Sequence, residues 1–401
     1  MKKIIEINTC DYGSTGNIMK QIAWHICQLG HESIIAVPAG RHNPKKEKKD
    51  YLWIGNRFSE DSHIILGYLT GFQGCFSVFS TLRFVAKLKK INPDVIHLHN
   101  LHKCYINLPI LFHYIKKNNV EVVWTLHDCW AFTGQCPHFT MTKCEKWKTG
   151  CHDCPSYRRY PESMVDRTKT MWGLKKKWFT GVQNMTIVAP SQWLADLVKQ
   201  SFLKEYPVKV IHNGIDLSVF RPTPSDFREK YHIPEEKFVL LGVAFGWGKR
   251  KGLDVFVELT RRLDPEKYQI VLVGTDDAVD KTLPKNILSI HRTQNQQELA
   301  EVYTAADLFV NPTREDNYPT VNMEAIACGT PVLTFRTGGS PEIVDEDTGA
   351  VVDCDDVDAM VKQIITIQEV NPFSSKACLE HAKQFDKDLR FEEYIQLLIG
   401  E

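Results

Sequence analysis

The sequence predicts an α/β protein with two parallel-sheet domains in tandem, and three observations carry that reading. Its 401 residues exceed one ordinary domain of roughly 150 residues. Short apolar runs alternate with segments of helical spacing in both halves, the rhythm of βαβ units. Glycines, histidines and paired acids fall just after the strand-like runs, where ligands bind in open parallel sheets.

In the first half, KKIIEIN reads as a strand and DYGSTGN as a Gly-rich turn. IMKQIAWHICQLG has apolar residues at helical spacing and stops at Gly30. SIIAVP is the next strand, TLRFVAKLKKINP an amphipathic helix, DVIHLHN a strand, LPILFHYIKKNN a helix and VEVVWTLHD a strand. The second half starts afresh with VKVIHNGID, a strand running into a turn, and a Pro-punctuated connection through FRPTPSDFREKYHIPEEK. KFVLLGVAF, YQIVLVGTD, LSIHRT, LFVNPT and PVLTF read as strands, and LDVFVELTRRL, QNQQELAEVYTAAD and PTVNMEAIACG as the helices between them. The expected domains are 1–205, with a Cys-rich insertion over 129–155, and 206–384. Residues 385–401 are expected to form a C-terminal helix packing back toward the first domain.

Hydrophobic content of 43% with 24% charged residues is the balance of a globular protein with real cores. No apolar run approaches the roughly 18 residues that span a bilayer. The N-terminus runs straight into a strand without a signal-peptide pattern, so a cytoplasmic location is expected. Net charge is zero, yet residues 1–180 hold 26 basic and 14 acidic residues and the remainder 23 and 35. That asymmetry suggests a first half that meets a phosphate-bearing acceptor or an anionic membrane at its inner face; plain surface composition explains it equally well. No nucleic-acid partner is expected.

The stretch REDNYPTVNMEAIACG places Pro319 at the first turn of a helix that Gly329 ends. The amides of such a helix start attract phosphate or sugar oxygens, and Asp316 and Glu324 flank it. Asp316 and Glu324 stand in the frame of E-x7-E, followed by Ala and a Gly-Thr-Pro strand entry. PSQWLADLVKQS, VIHNGIDLSVFRP, KRKGLDVF, YTAADLFVNPT and FRTGGSPEIV accompany the pair in order. On these motifs the chain resembles the retaining glycosyltransferases of family 4, over essentially its whole length and most strongly from about 186 to 350.

The resemblance implies the GT-B fold, two facing Rossmann-like domains with an interdomain cleft, and no catalytic metal. It implies a nucleotide-sugar donor, such as a UDP-hexose, and a glycan or lipid-linked acceptor in capsule or exopolysaccharide synthesis. Carried over by position, Asp316 faces the donor sugar, Glu324 binds the ribose hydroxyls and Lys251 holds the pyrophosphate. Asn317, Tyr318, Pro319 and Thr320 form the donor-side helix start, and Glu315 falls outside the frame. The family Arg five residues before Lys251 is replaced by Gly246, leaving Lys249 or Arg250 to supply the second positive charge. His127 sits near the donor sugar, and Gly16 lies where the first loop meets the donor. Gly13, Ser14, Thr15 and His99 are on the acceptor side. His97 and His99 share a strand face, so they line the acceptor cleft or simply pack, as does His102. Ser340, Pro341 and Glu342 read as N-cap, first turn and dipole-compensating acid. Asp356 and Asp358 read as a helix start rather than a metal-binding D-x-D.

Five of the 12 cysteines fall between residues 129 and 154. Cys136, Cys144, Cys151 and Cys154, ending in C-x-x-C, give the ligand count of a structural zinc site. Unligated thiols or an oxidised pair are the alternatives, with Cys129 a spare and His138 and His152 as substitute ligands. Downstream, RTKTMWGLKKKWF combines Lys175, Lys176 and Lys177 with Trp172, Trp178 and Phe179. This segment reads equally as a contact for anionic lipid or an ordinary amphipathic helix. Two further functional readings stand beside transfer: a nucleotide-sugar epimerase of the same fold, and a non-catalytic sugar-binding relative.

Overall fold

The computed structural model describes residues 1–40, 43 and 50–400. They form two compact units: Met1–Ile211 with Phe391–Glu401, and His212–Arg390.

The first unit is built on strands β1 (Lys3–Ile7), β2 (Glu32–Pro38), β3 (Tyr51–Ile54), β4 (Val95–Leu98), β5 (Glu121–Thr125), β6 (Met185–Ala189) and β7 (Val208–Val210). They pair in parallel in the order β3-β2-β1-β4-β5-β6-β7. The second unit repeats the plan with β8 (Phe238–Val243), β9 (Tyr268–Val273), β10 (Ile287–Ile290), β11 (Leu308–Asn311), β12 (Val332–Phe335) and β13 (Gly349–Val352), ordered β10-β9-β8-β11-β12-β13. Both are Rossmann-like sheets whose winding reverses once, between β1 and β4 and between β8 and β11. Ligands bind in doubly wound sheets at such switch points.

The central strands are apolar on both faces because helices cover both sides. β4, β11 and β12 are buried at every residue. Separate apolar clusters fill the two faces of the second sheet. The last helix, Lys387–Ile399, contributes Phe391, Tyr394, Leu398 and Ile399 to the first unit, where they pack with Ile4, Val95, Val123 and Val188.

Several expectations need correction. The first helix begins at Gly13, so DYGSTGN is its N-terminus rather than a turn before it. Gly16 lies so close to the preceding segment that a Cβ there would sit 2.6 Å from the Asp11 carbonyl carbon. Pro319, extended at ψ 114°, caps the helix Thr320–Ala327 and does not enter its first turn. Ser340, Pro341 and Glu342 form a single 3-10 turn that Gly339 precedes. Asp356 does cap the helix Val357–Val370, accepting from the Ala359 N–H at 2.8 Å.

The helix Thr168–Phe179 matches the ordinary amphipathic reading: one face packs into the core, while Lys176 and Lys177 are exposed. Lys175 and Phe179 are wholly buried and Trp178 nearly so. Its Nζ donates to the carbonyls of Trp130 (2.6 Å) and Thr133 (3.1 Å) and stands 3.4 Å from the centre of the Trp130 ring. Two carbonyls and a π face replace the water this ammonium gives up, and burial pushes its pKa down to about 7. Among the described residues, no helix is long and apolar enough to cross a membrane.

Candidate active site

In the second unit the chemistry gathers at the β8/β11 switch point. β8 runs into the 3-10 turn Lys249–Lys251, and Gly252, at φ +77°, then starts the helix Leu253–Arg262. A Cβ on Gly252 would lie 2.4 Å from the Pro312 carbonyl oxygen, so the two loops touch backbone to backbone only because this residue is glycine. Lys251 is thereby set beside Asp316, with Nζ to Oδ2 at 2.6 Å and both side chains mostly buried. Arg250 donates to the Glu315 carbonyl at 3.3 Å, and the Arg314 N–H donates to the Arg250 carbonyl at 2.9 Å. Lys249 and Arg250 are exposed on the turn.

Gly246 adopts φ +83° in open space, next to a fully exposed Phe245. An L-residue rarely takes that conformation, so the loop is shaped for glycine and does not merely lack an arginine side chain.

Arg314 ties this arrangement together. Its guanidinium holds Asp254 bidentately at 2.7 and 2.9 Å, bonds Asp355 at 2.5 Å and also donates to the Lys249 carbonyl. Sequence reading passed over it because these partners lie tens of residues away along the chain. Asp316 Oδ1 accepts from the Asn317 N–H at 2.9 Å, and the Gly339 N–H donates to the Asn317 carbonyl at 2.8 Å. A Cβ on Gly338 would collide with the Asp316 carbonyl, 1.9 Å away, so the Gly-Gly loop is a floor under the acid. Tyr318 is buried and stacks on His212, rings 4.7 Å apart at 17°.

Glu324 projects from the helix Thr320–Ala327, partly buried, and accepts from the Tyr303 hydroxyl at 3.0 Å. Burial pushes its carboxyl up to about 7, although hydrogen bonds from Tyr303 and Thr320 pull the other way. Further hydroxyl donors, such as a sugar diol, favour the charged form.

In the first unit, residues following β1, β4 and β5 meet at the β1/β4 switch point. Gly13, Ser14 and Thr15 are the outer residues of the helix Gly13–Gln28, which has no side-chain cap and no acid in its first turn. Its leading amides are a ready contact for an anion. His99, expected on the acceptor side, is buried beneath His127. Its Nδ1 lies 3.1 Å from His127 Nε2, and its Nε2 lies 3.1 Å from Glu6 Oε2. His97 Nδ1 stands 2.8 Å from the same oxygen, at ion-pair distance though without hydrogen-bond geometry. Its Nε2 pairs with Thr125 Oγ1 at 2.9 Å.

Burial drives His97 and His99 down to about 3 and His127 to about 4, so all three are neutral at physiological pH. The Glu6 carboxyl is raised, burial outweighing the pull of His99. Glu6, His97 and His99 form the one set of three potential metal ligands within 4.8 Å of one another among the described residues. An acid between Ile5 and Ile7 in a doubly buried strand was the sequence signal for this network. Nearby, Asp128 accepts from the Trp130 N–H at 2.8 Å and pairs with His102 at 3.1 Å; His102 also meets the Tyr160 hydroxyl at 3.0 Å. Burial opposes the Asp128 charge, but His102 and the backbone donor hold its carboxyl below the usual range.

The cysteine insertion folds into the first unit's core, with Trp147 packed between Phe132 and Phe139. All four candidate thiols are free, and the Gly134 N–H donates to Cys151 Sγ at 3.1 Å. A hydrogen bond with Cys136 lowers the Cys154 thiol and raises Cys136. The four sulfurs do not form a set within 4.8 Å of one another.

Residues 15–219 match the Glycosyltransferase Family 4 domain, and residues 236–369 match a glycosyl transferases group 1 domain. Among curated proteins, WcaC of Escherichia coli K12, named for a glycosyl transferase of colanic acid biosynthesis, is 28% identical over 280 residues. That match covers 67% of this chain and 66% of WcaC. The D-inositol 3-phosphate glycosyltransferase of Mycolicibacterium smegmatis is 28% identical over 193 residues, 44% of each chain. The aligned stretches thus span between under half and about two thirds of these relatives. The fold is that of sucrose-phosphate synthase from Thermosynechococcus elongatus, at TM-score 0.72 and 17% identity over 99% of this chain and 98% of that one. It is equally that of Anabaena HepE, solved with UDP, at TM-score 0.69 and 16% identity over the whole of both chains. HepE has also been solved with UDP-glucose.

Proposed function

Because the chain belongs to Glycosyltransferase Family 4, we propose that it moves a hexose from a nucleotide sugar to a glycan or lipid-linked glycan, with retention of anomeric configuration, in surface polysaccharide synthesis. The observation that carries this reading is the Lys251–Asp316 pair beside the Glu324 helix at the second unit's switch point. UDP-hexose is the donor we favour, since HepE binds UDP and UDP-glucose in the same fold. The likeness to WcaC favours an acceptor of the colanic acid kind.

In this reading the second unit holds the donor. Lys251, Arg250 and the amides of Asn317 to Thr320 face the diphosphate, Glu324 takes the ribose hydroxyls and Asp316 the sugar. The first unit presents the acceptor beside His127 and the helix start at Gly13 to Gly16. The bond from the anomeric carbon to the diphosphate oxygen breaks as the bond to the acceptor oxygen forms, and the departing diphosphate takes the acceptor proton. The protein's part is to position the reactants and to stabilise the charge growing on the leaving group. No step asks for a catalytic metal. Nucleotide sugars are cytoplasmic, so we place the protein there, at the inner face of the membrane where its acceptor is lipid-linked.

We also read Cys136, Cys144, Cys151 and Cys154 as holders of a structural zinc. The ligand count and the N–H donor on Cys151 support it, although the four sulfurs stand further apart than zinc would hold them. Metal analysis of purified protein should return about one zinc per chain. Zinc-free protein that folds equally well with all four cysteines replaced contradicts the assignment.

A thermal-shift and mass-spectrometric screen against nucleotide sugars, followed by product analysis with an acceptor panel, tests the main reading. A new glycoside supports transfer. An altered nucleotide sugar without an acceptor product marks an epimerase, and binding without turnover marks a non-catalytic relative.

A further inference from the structure

Among the described residues, the first unit carries an apolar surface that its own fold leaves uncovered. The helix Arg57–Thr70 is well built, with an Asn56/Ser59 capping box and Gly71 closing it in the left-handed region. Yet its buried residues are only Glu60, His63 and Gly67. Phe58 is 81% exposed, and Ile64, Ile65, Leu66 and Leu69 all face solvent. The following helix, Val78–Ile91, opens with Phe79 at 80% exposure and Leu82 one turn on.

A hydrogen-bond chain locks the two helices together. The Phe76 N–H donates to His63 Nε2 at 3.3 Å, which leaves Nδ1–H to donate to Ser77 Oγ at 2.9 Å. Ser77 Oγ in turn donates to the Ser59 carbonyl at 3.3 Å. The two helices that carry these exposed apolar side chains are thus tied to one another.

Charge identifies the occupant. Arg57, Arg83, Lys87, Lys89 and Lys90 are exposed on the same two helices. Their only acids are Glu60, which is buried, and Asp61, which Arg57 faces at 3.6 Å. The helix Val78–Ile91 contains no acid at all. A second copy would bring like charges together, whereas an anionic headgroup layer over acyl chains satisfies cations and apolar side chains at once.

We propose that the helices Arg57–Thr70 and Val78–Ile91 seat the first unit on a bilayer bearing anionic headgroups, with Phe58, Ile65, Leu69, Phe79 and Leu82 in the acyl boundary. This replaces Lys175 to Phe179 as the membrane contact. It rests on the lipid-linked acceptor reading for its purpose, but vesicle binding is measured without donor or acceptor, so either idea can fail alone.

The test is co-sedimentation of the full chain with phosphatidylcholine vesicles and with phosphatidylcholine–phosphatidylglycerol vesicles. Binding to the second and not the first, weakened by salt, is expected. Phe79→Ser and the pair Ile65→Ser/Leu69→Ser should each lower partitioning about tenfold. Unchanged melting temperature and UDP binding in these variants would show that fold and site are intact. Failure of the wild type to bind the anionic vesicles overturns the proposal, as do serine variants that bind like the wild type. Light scattering that shows a dimer dispersed by the same substitutions also overturns it, in favour of a second copy on this face.

Discussion

His99 and His127 lie nearly parallel, rings 5.4 Å apart at 10°, with His99 Nδ1 3.1 Å from His127 Nε2. Behind His99, Glu6 Oε2 stands 3.1 Å from Nε2. If Glu6 Oε2 is the acceptor, His99 donates from Nε2 and its Nδ1 accepts from His127. Neutral His127 then carries its proton on Nε2. Nitrogen-15 NMR of histidine-labelled protein should show this tautomer for His127. Glu6→Leu should scramble it, cost about 1–3 kcal/mol of stability and slow transfer. Glu6→Gln, which can still accept, should lose less.

Glu324 sets a pH dependence for donor binding. Its carboxyl titrates near 7, and a ribose diol donates best to the ionised form. Affinity for UDP-glucose, whose diphosphate does not itself titrate in this range, should therefore fall as pH drops from about 8 to about 6. Glu324→Gln should bind weakly and show a flat profile. Calorimetric titration across that range reads both.

Asp316 and Glu315 separate by register. Asp316 pairs with Lys251, while Glu315 offers its main-chain carbonyl to Arg250. Asp316→Asn should lower kcat about a hundredfold. Glu315→Gln should stay within about threefold of wild type. Steady-state rates decide it, and the reverse order would put the register off by one.

Arg314 anchors the loop that carries the acid. Arg314→Lys cannot reproduce the two-pronged hold on Asp254 together with the bond to Asp355. A loss of about 2 kcal/mol in denaturant unfolding is expected, with a fall in kcat as the Lys251–Asp316 contact loosens.

Two glycines at positive φ should behave differently. Gly246→Ala meets open space and should cost about 1 kcal/mol, the conformational term alone. Gly252→Ala adds a clash with the Pro312 backbone and should cost clearly more, by the same denaturant measurement. Gly246→Arg should not restore the family's arginine contact.

Most strands were legible because parallel strands covered on both faces read as continuous apolar runs. Of the three that were missed, β3 and β13 are edge strands, half exposed in YLWI and made partly of Gly and Ala in GAVV, while β6, the short run MTIVA, lies inside its sheet between β5 and β7. The helix Arg57–Thr70 was also missed, although Phe58, Ile65 and Leu69 stand at helical spacing along it. In the site, the frame of Asp316 and Glu324 and the turn at Lys251 were visible as local motifs. Arg314 with Asp254 and Asp355, and Glu6 with His99, were not, because each meaning depends on a partner that only the fold supplies. Lys175 misled for the same reason: two carbonyls and a tryptophan face, remote in sequence, make an interior site for a lysine.

The most direct test of the central claim is calorimetric binding of UDP to the wild type, Lys251→Ala and Glu324→Gln. The account predicts that the wild type binds and that each variant loses about tenfold or more while remaining folded. Folded wild type that does not bind UDP, or variants that bind it as tightly as the wild type, would contradict it.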